Sequence, residues 1–173
     1  MPGPIAVADA SVLIALERLS LLQHLGLIFD RVLVPAAVRG EVLKKAGTSS
    51  SAVSVALTDL IAEPPFEPCD DFDSIDVKLL LETLGAGESE AISQTKQRVA
   101  NRILIDDLRG RRTAELQGLR PEGTIKLLAR LHRMGFLARP FSALERLRKE
   151  IRFRGGDALL ERALRDLELA AES

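Results

Sequence analysis

Short, wholly apolar stretches alternate along this chain with longer segments whose apolar residues return every three or four positions. Ile5 to Ala8, Val32 to Val34 (entered from Arg31) and Ile103 to Ile105 (entered from Arg102) hold no polar residue. Runs without polar alternation suit strands buried on both faces, as in parallel sheets. Helical spacing fills the intervals. It runs from Ser11 through Leu13, Ile14 and Leu16 to Leu19, with a short helical turn from Leu21 to Leu27. After Pro35, which suits a first helical turn, it continues through Ala37, Val38, Glu41, Val42 and Leu43 to about Lys45. Further helices are expected over 52–60, over 76–84 up to Gly85-Ala-Gly87, and over 88–99. Two more span 108–117 and 124–134, the last closed by Gly135.

The remaining stretches read as connections. Residues 47–51 form a loop, and 62–72, with Pro64, Pro65 and Pro68, leave room for at most a short edge strand. Leu119 to Pro121 is a short segment between helices. Residues 140–173 predict a helix, a short strand candidate at 151–153, and a last amphipathic helix opened by Asp157. That helix aligns Leu160, Ala163, Leu164 and Leu167, a stripe expected to pack back on its own domain. Strands alternating with helices at this spacing imply an α/β fold with a central parallel sheet in three α/β/α layers. The expected division is a domain over 1–137 and a helical extension over 138–173 packed on it.

Composition narrows the class. At 173 residues, 46% hydrophobic and 28% charged, the chain has the makeup of one globular domain with a sizeable core. No apolar run approaches the roughly 20 residues of a membrane span, and no leader pattern opens the chain. The single cysteine, Cys69, gives no internal disulfide and fits a reducing cytoplasm. His24 and His132 stand far apart without a cysteine pair, against a structural zinc site. With a net charge of −1 the protein has no global field for nucleic acid, so a polyanion needs a local patch or a metal ion.

The candidate chemistry lies in the acids. Asp9 ends the first strand, and Asp106 and Asp107 end the third, where open α/β sheets place their ligands. Glu41 shares a helix face with Ala37, Val38 and Val42. Glu88 is in register with Ala91, Ile92, Thr95 and Val99, whereas Glu90 is in register with Ser93, Gln94 and Gln97. Two residues apart on a helix, they point about 200° away from each other. Glu88 is therefore expected to face inward and Glu90 to face solvent. A structural role is open to each: Glu41 can pair with Lys45, Glu88 can complement a helix dipole, and Asp106 or Asp107 can cap the next helix opposite Arg111. Several carboxylates on a buried rim repel one another, and a divalent cation with hard oxygen ligands removes that conflict.

Four segments, VADAS, VPAAVRGEVL, LGAGESEAI and ILIDDLRGRRTAELQG, together resemble the PIN domain, closest to its compact prokaryotic branch related to VapC toxins. The similarity covers roughly 5–137, and GTIKLLARLHRMGFL looks like that branch's closing helix. The resemblance implies a divalent-metal-dependent endoribonuclease, with Asp9, Glu41, Glu88 and Asp106 or Asp107 as catalytic and metal-holding acids for Mg²⁺ or Mn²⁺. Here Glu88 stands where better-known members carry aspartate, and the adjacent pair leaves the fourth acid open between Asp106 and Asp107. It further implies a toxin paired with a small antitoxin, and relatives that associate in pairs make a homodimer an expectation as well.

For the RNA substrate, Ser11 sits beside the first acid, and Arg109, Arg111 and Arg112 lie just beyond the fourth, within reach of a phosphate backbone. Lys126 and Arg130 extend that patch. Without tyrosine or tryptophan, stacking on bases is limited to phenylalanines. The principal alternative is a PIN fold used as a binding or assembly module. A receiver- or phosphatase-like α/β domain ranks below both, for want of strand-end candidates beyond Asp106 and Lys126.

Overall fold

The computed structural model describes residues 3–48, 59–70, 72–97, 100 and 102–169. Five strands form one parallel sheet: β1 (Ile5–Ala8), β2 (Arg31–Pro35), β3 (Phe66–Cys69), β4 (Arg102–Leu104) and β5 (Arg120–Glu122). Their order is β3-β2-β1-β4-β5. The chain winds outward from β1 to one edge and then returns to the other side of β1. The reversal falls between β1 and β4, and a sheet of this kind opens its ligand crevice at the carboxyl ends of those two strands. Ala8 pairs with Leu104, and the Asp9 amide carries the ladder one step on, donating to the Leu104 carbonyl at 2.8 Å.

The helices are α1 (Ala10–Arg18), α2 (Ala36–Thr48), α3 (Ser74–Leu80), α4 (Ala86–Gln97), α5 (Leu108–Leu116), α6 (Thr124–Arg133), α7 (Pro140–Ile151) and α8 (Asp157–Leu169), with a 3-10 turn over Leu22–Leu27. Side chains alternate across each strand, so the sheet separates two apolar layers. Ala6, Ala8, Val32, Val34, Phe66 and Leu104 face Leu13 and Leu16 of α1, Leu127 and Leu131 of α6, Leu144 of α7 and Leu160 of α8. Val7, Leu33, Cys69, Ile103 and Ile105 face Leu80, Ala91, Ile92 and Ala114. The three-layer α/β/α architecture is thus the one the apolar pattern predicts. Ala163, Leu164 and Leu167 pack against the first layer. No helix among the described residues is long and apolar enough to cross a membrane.

Several boundaries differ from expectation. Leu119 to Pro121 is no mere connection, because Arg120–Glu122 is the outer strand β5. Pro121 is tolerated because β5 is an edge strand. Ile151 to Phe153 forms no strand: α7 runs through Ile151 and ends at Arg152 in the left-handed region, φ 54°. Helix α2 continues to Thr48, into the expected 47–51 loop, and the rest of that loop and most of the 52–60 helix lie outside the described residues. Helix α4 begins at Ala86, two residues before Glu88.

A buried acid ties β5 to this core. Glu122 is fully buried, and Arg130 of α6 meets it at 2.9 Å and Arg102 of β4 at 3.4 Å. Arg130 also lies 5.4 Å from the Phe29 ring centroid. It is therefore occupied inside the fold and does not extend a surface RNA patch, whereas Lys126 is exposed. Arg130→Ala would strip the nearer partner from a buried charge and should destabilise by about 3 kcal/mol in urea denaturation. Lys126→Ala should change stability by less than about 0.5 kcal/mol.

A second ion pair, Arg31 with Glu67 at 2.5 Å, ties β2 to the edge strand β3. The Arg31 hydrogen bond holds the Glu67 carboxyl below the usual carboxylate range. Its contribution is present above the unfolded-state value and is lost as pH falls through the lower folded value. Both side chains are nearly half exposed, so solvent screening keeps the contribution below about 1 kcal/mol. Stability curves of wild type and Glu67→Gln should therefore converge as pH falls below about 4, and parallel curves would contradict the linkage.

Candidate active site

Each acid singled out in the sequence lies near the carboxyl edge of the sheet, and each is bonded to backbone N–H groups where a helix begins. Asp9 is the N-cap of α1: its Oδ2 accepts from the Ser11 amide at 3.1 Å and the Ser11 hydroxyl at 2.5 Å. Glu41, on α2, accepts through Oε1 from the Gly87 amide at 3.1 Å. Glu88 turns Oε2 back to the Gly85 amide at 3.1 Å. Asp107 caps α5 through Oδ1, taking the Arg109 and Gly110 amides at 2.8 and 3.0 Å. Asp106 reaches α6, where Oδ1 takes the Thr124 amide at 2.8 Å and Oδ2 the Thr124 hydroxyl at 2.6 Å.

Gly87 is where two of these groups meet. A Cβ there would stand 2.8 Å from Glu41 Oε1 and 3.2 Å from Asp9 Oδ1, so the close approach of the two carboxylates requires glycine. Glu88 is the next residue. Burial pushes its carboxyl above the usual range against the pull of the Gly85 bond, and the charges of Asp9, Asp107 and Glu41 push the same way. Burial also raises Asp106, against its two Thr124 bonds, with Asp9 adding to the rise and Arg111 opposing it. Asp107 therefore belongs to the field around Glu88, and Asp106 to the flank held by Arg111. Asp9, only 4% exposed, acts on both.

The donor set is all hard carboxylate oxygen, the chemistry that suits Mg²⁺ or Mn²⁺, and its mutual repulsion is what a divalent cation relieves. Among the described residues, no three of these side chains close into a ready cation-binding cluster. In Asp9, Glu41, Glu88 and Asp107 the hydrogen bonds run to one oxygen each, whereas Asp106 uses both.

Glu90 corrects the helical-phase expectation in part. It is not a solvent group, since it accepts from the Ala37 amide at 2.8 Å and so binds the start of α2. Ser93 and Gln94, taken as its solvent-facing neighbours, are fully buried. Helix α4 is enclosed by α2, α3, α5 and the sheet, so a polar stripe on it does not mark an exposed face. The Gln94 amide donates to the Cys69 carbonyl at 2.9 Å. Among the substrate candidates, Ser11 is engaged with Asp9, Arg111 lies beside Asp106, and Arg109 and Arg112 are exposed on α5. Sequence reasoning passed over Gly87, Thr124 and Glu122. A threonine directly after Gly123 at a helix start was the available sign of the second.

No curated protein matches the chain. A family model described as the PIN domain matches residues 5–169, taking in α7 and α8 as well as the sheet. With that match spanning nearly the whole chain, and with its acids at the switch point of a parallel sheet, the chain belongs to the PIN-domain family, a nuclease-type fold.

Proposed function

We propose that the protein is a divalent-metal-dependent endoribonuclease, with Mg²⁺ or Mn²⁺ held by Asp9, Glu41, Glu88 and Asp106 or Asp107. The observation that carries this reading is the approach of Asp9 and Glu41 across Gly87, beside a Glu88 carboxyl that their charges and burial push up. Carboxylates crowded in this way, in a nuclease-type fold, suit a cation better than they suit each other. When bound, such a cation lowers the pKa of water and neutralises charge on a phosphodiester. The protein's own part is to hold the acids: Ser11 orients Asp9, the Gly87 amide orients Glu41, and the Gly85 amide orients Glu88. Arg109 and Arg112, exposed on α5, are suited to the phosphate backbone of an RNA strand, and Arg111 flanks the acids.

A small antitoxin and a second copy of the chain as partners belong to the same proposal, supported by the resemblance to the VapC branch. A binding or assembly module is the second reading. It is favoured by the structural duty of every acid, since each already receives a backbone N–H at a helix start.

Two variants on one helix separate these readings. Glu88→Gln should abolish metal-dependent cleavage of RNA and shrink the rise in melting temperature that millimolar Mn²⁺ produces in wild type. Glu90→Gln keeps an oxygen for the Ala37 amide, so cleavage should stay within a few-fold. Only the charge at the start of α2 is lost, worth about 0.3–1 kcal/mol. A wild type that neither binds Mn²⁺ nor cleaves RNA would leave the binding module.

Toxicity is tested in cells. Induced expression should arrest growth, and Asp9→Asn should relieve the arrest at matched soluble levels. Equal growth of the two strains would remove the toxin assignment.

A further inference from the structure

Asp106 and Asp107 are adjacent in sequence but are held by different helices. Asp107 is taken by the first amides of α5, an ordinary local cap. Asp106 crosses to α6, and its partner Thr124 stands 18 residues away. The residue at the α6 N-cap, Gly123, supplies no side-chain cap. It also has no room for one, because a Cβ there would lie 2.8 Å from Asp106 Oδ1 and 3.4 Å from the Ile105 carbonyl. The carboxylate of Asp106 therefore stands in for the missing cap, and Thr124, fully buried, returns a second bond from its hydroxyl. Helix capping alone needs one oxygen. A donor on each oxygen also fixes the plane of the carboxylate.

We propose that Thr124 is a positioning residue that sets the orientation of Asp106 for divalent-cation binding, which makes Asp106, and not Asp107, the fourth acid of the site. The inference rests on the metal-site reading above. Outer hydrogen bonds of this kind orient ligating carboxylates, and their loss weakens metal affinity about 10- to 100-fold.

The test is Mn²⁺ binding to the purified full chain, followed by calorimetric titration and independent of any cleavage assay. Thr124→Val keeps shape and backbone amide and loses the hydroxyl, so it should weaken Mn²⁺ about 10-fold or more. Thr124→Ser restores the hydroxyl and should bind within about two-fold of wild type, a rescue that a purely packing role would not give. Combined with Asp106→Asn, Thr124→Val should add no further loss, because both act through one carboxylate. Should Thr124→Val fail to fold, Thr124→Ala carries the same comparison. Wild-type affinity in Thr124→Val, or losses that multiply in the double variant, would overturn the inference. If wild type itself binds no Mn²⁺, the metal site fails first and this inference falls with it. If wild type and Asp107→Asn bind equally while Asp106→Asn does not, the assignment of the fourth acid stands.

Discussion

Carboxylates bonded to the amides of helix starts are the interaction on which this site depends. A parallel sheet brings its strands' carboxyl ends to one edge, and the helices that follow begin there with unpaired N–H groups. Asp9, Asp106 and Asp107 serve the starts of α1, α6 and α5, and Glu88 turns back over the start of its own helix α4. Glu41 and Glu90 cross the gap between α2 and α4 in opposite directions, one to the Gly87 amide and the other to the Ala37 amide. Each bond stabilises a charge that burial disfavours, and together they hold several acids closer than repulsion alone would allow.

The same geometry decides which acids share a field. The β1–β4 junction, extended by the Asp9 amide to the Leu104 carbonyl, places Asp9 between two flanks. Glu41, Glu88 and Asp107 lie to one side, while Asp106 lies to the other with Arg111 and Thr124. A chain whose β4 lay on the far edge of the sheet would present the same residues without that convergence.

Away from the site, a second buried charge is handled differently. Glu122 has no helix start to serve and is balanced by two arginines, one of which is covered by Phe29. This binds the outer strand β5 to β4 and α6, and α6 in turn carries Thr124 at its first turn and packs against α8 at its flank. The support of Asp106 is thus continuous with the core.

The sequence by itself determined the layers, the inner strands and the acids. Apolar runs at β1, β2 and β4 have no polar alternation, and amphipathic spacing in α1, α6 and α8 has a single apolar side, so local pattern and burial agree. The pattern was insufficient where an element is enclosed on several sides or stands at an edge. In α4 the polar Ser93 and Gln94 are buried against neighbouring helices, so helical phase picked out Glu88 but misplaced Glu90. At β5 a proline in a three-residue strand hid a pairing that only β4 beside it makes possible. Which of two adjacent aspartates serves α5 and which reaches α6 was decided only by tertiary structure. That choice depends on where a helix 18 residues further along begins, and no local pattern encodes the distance between them.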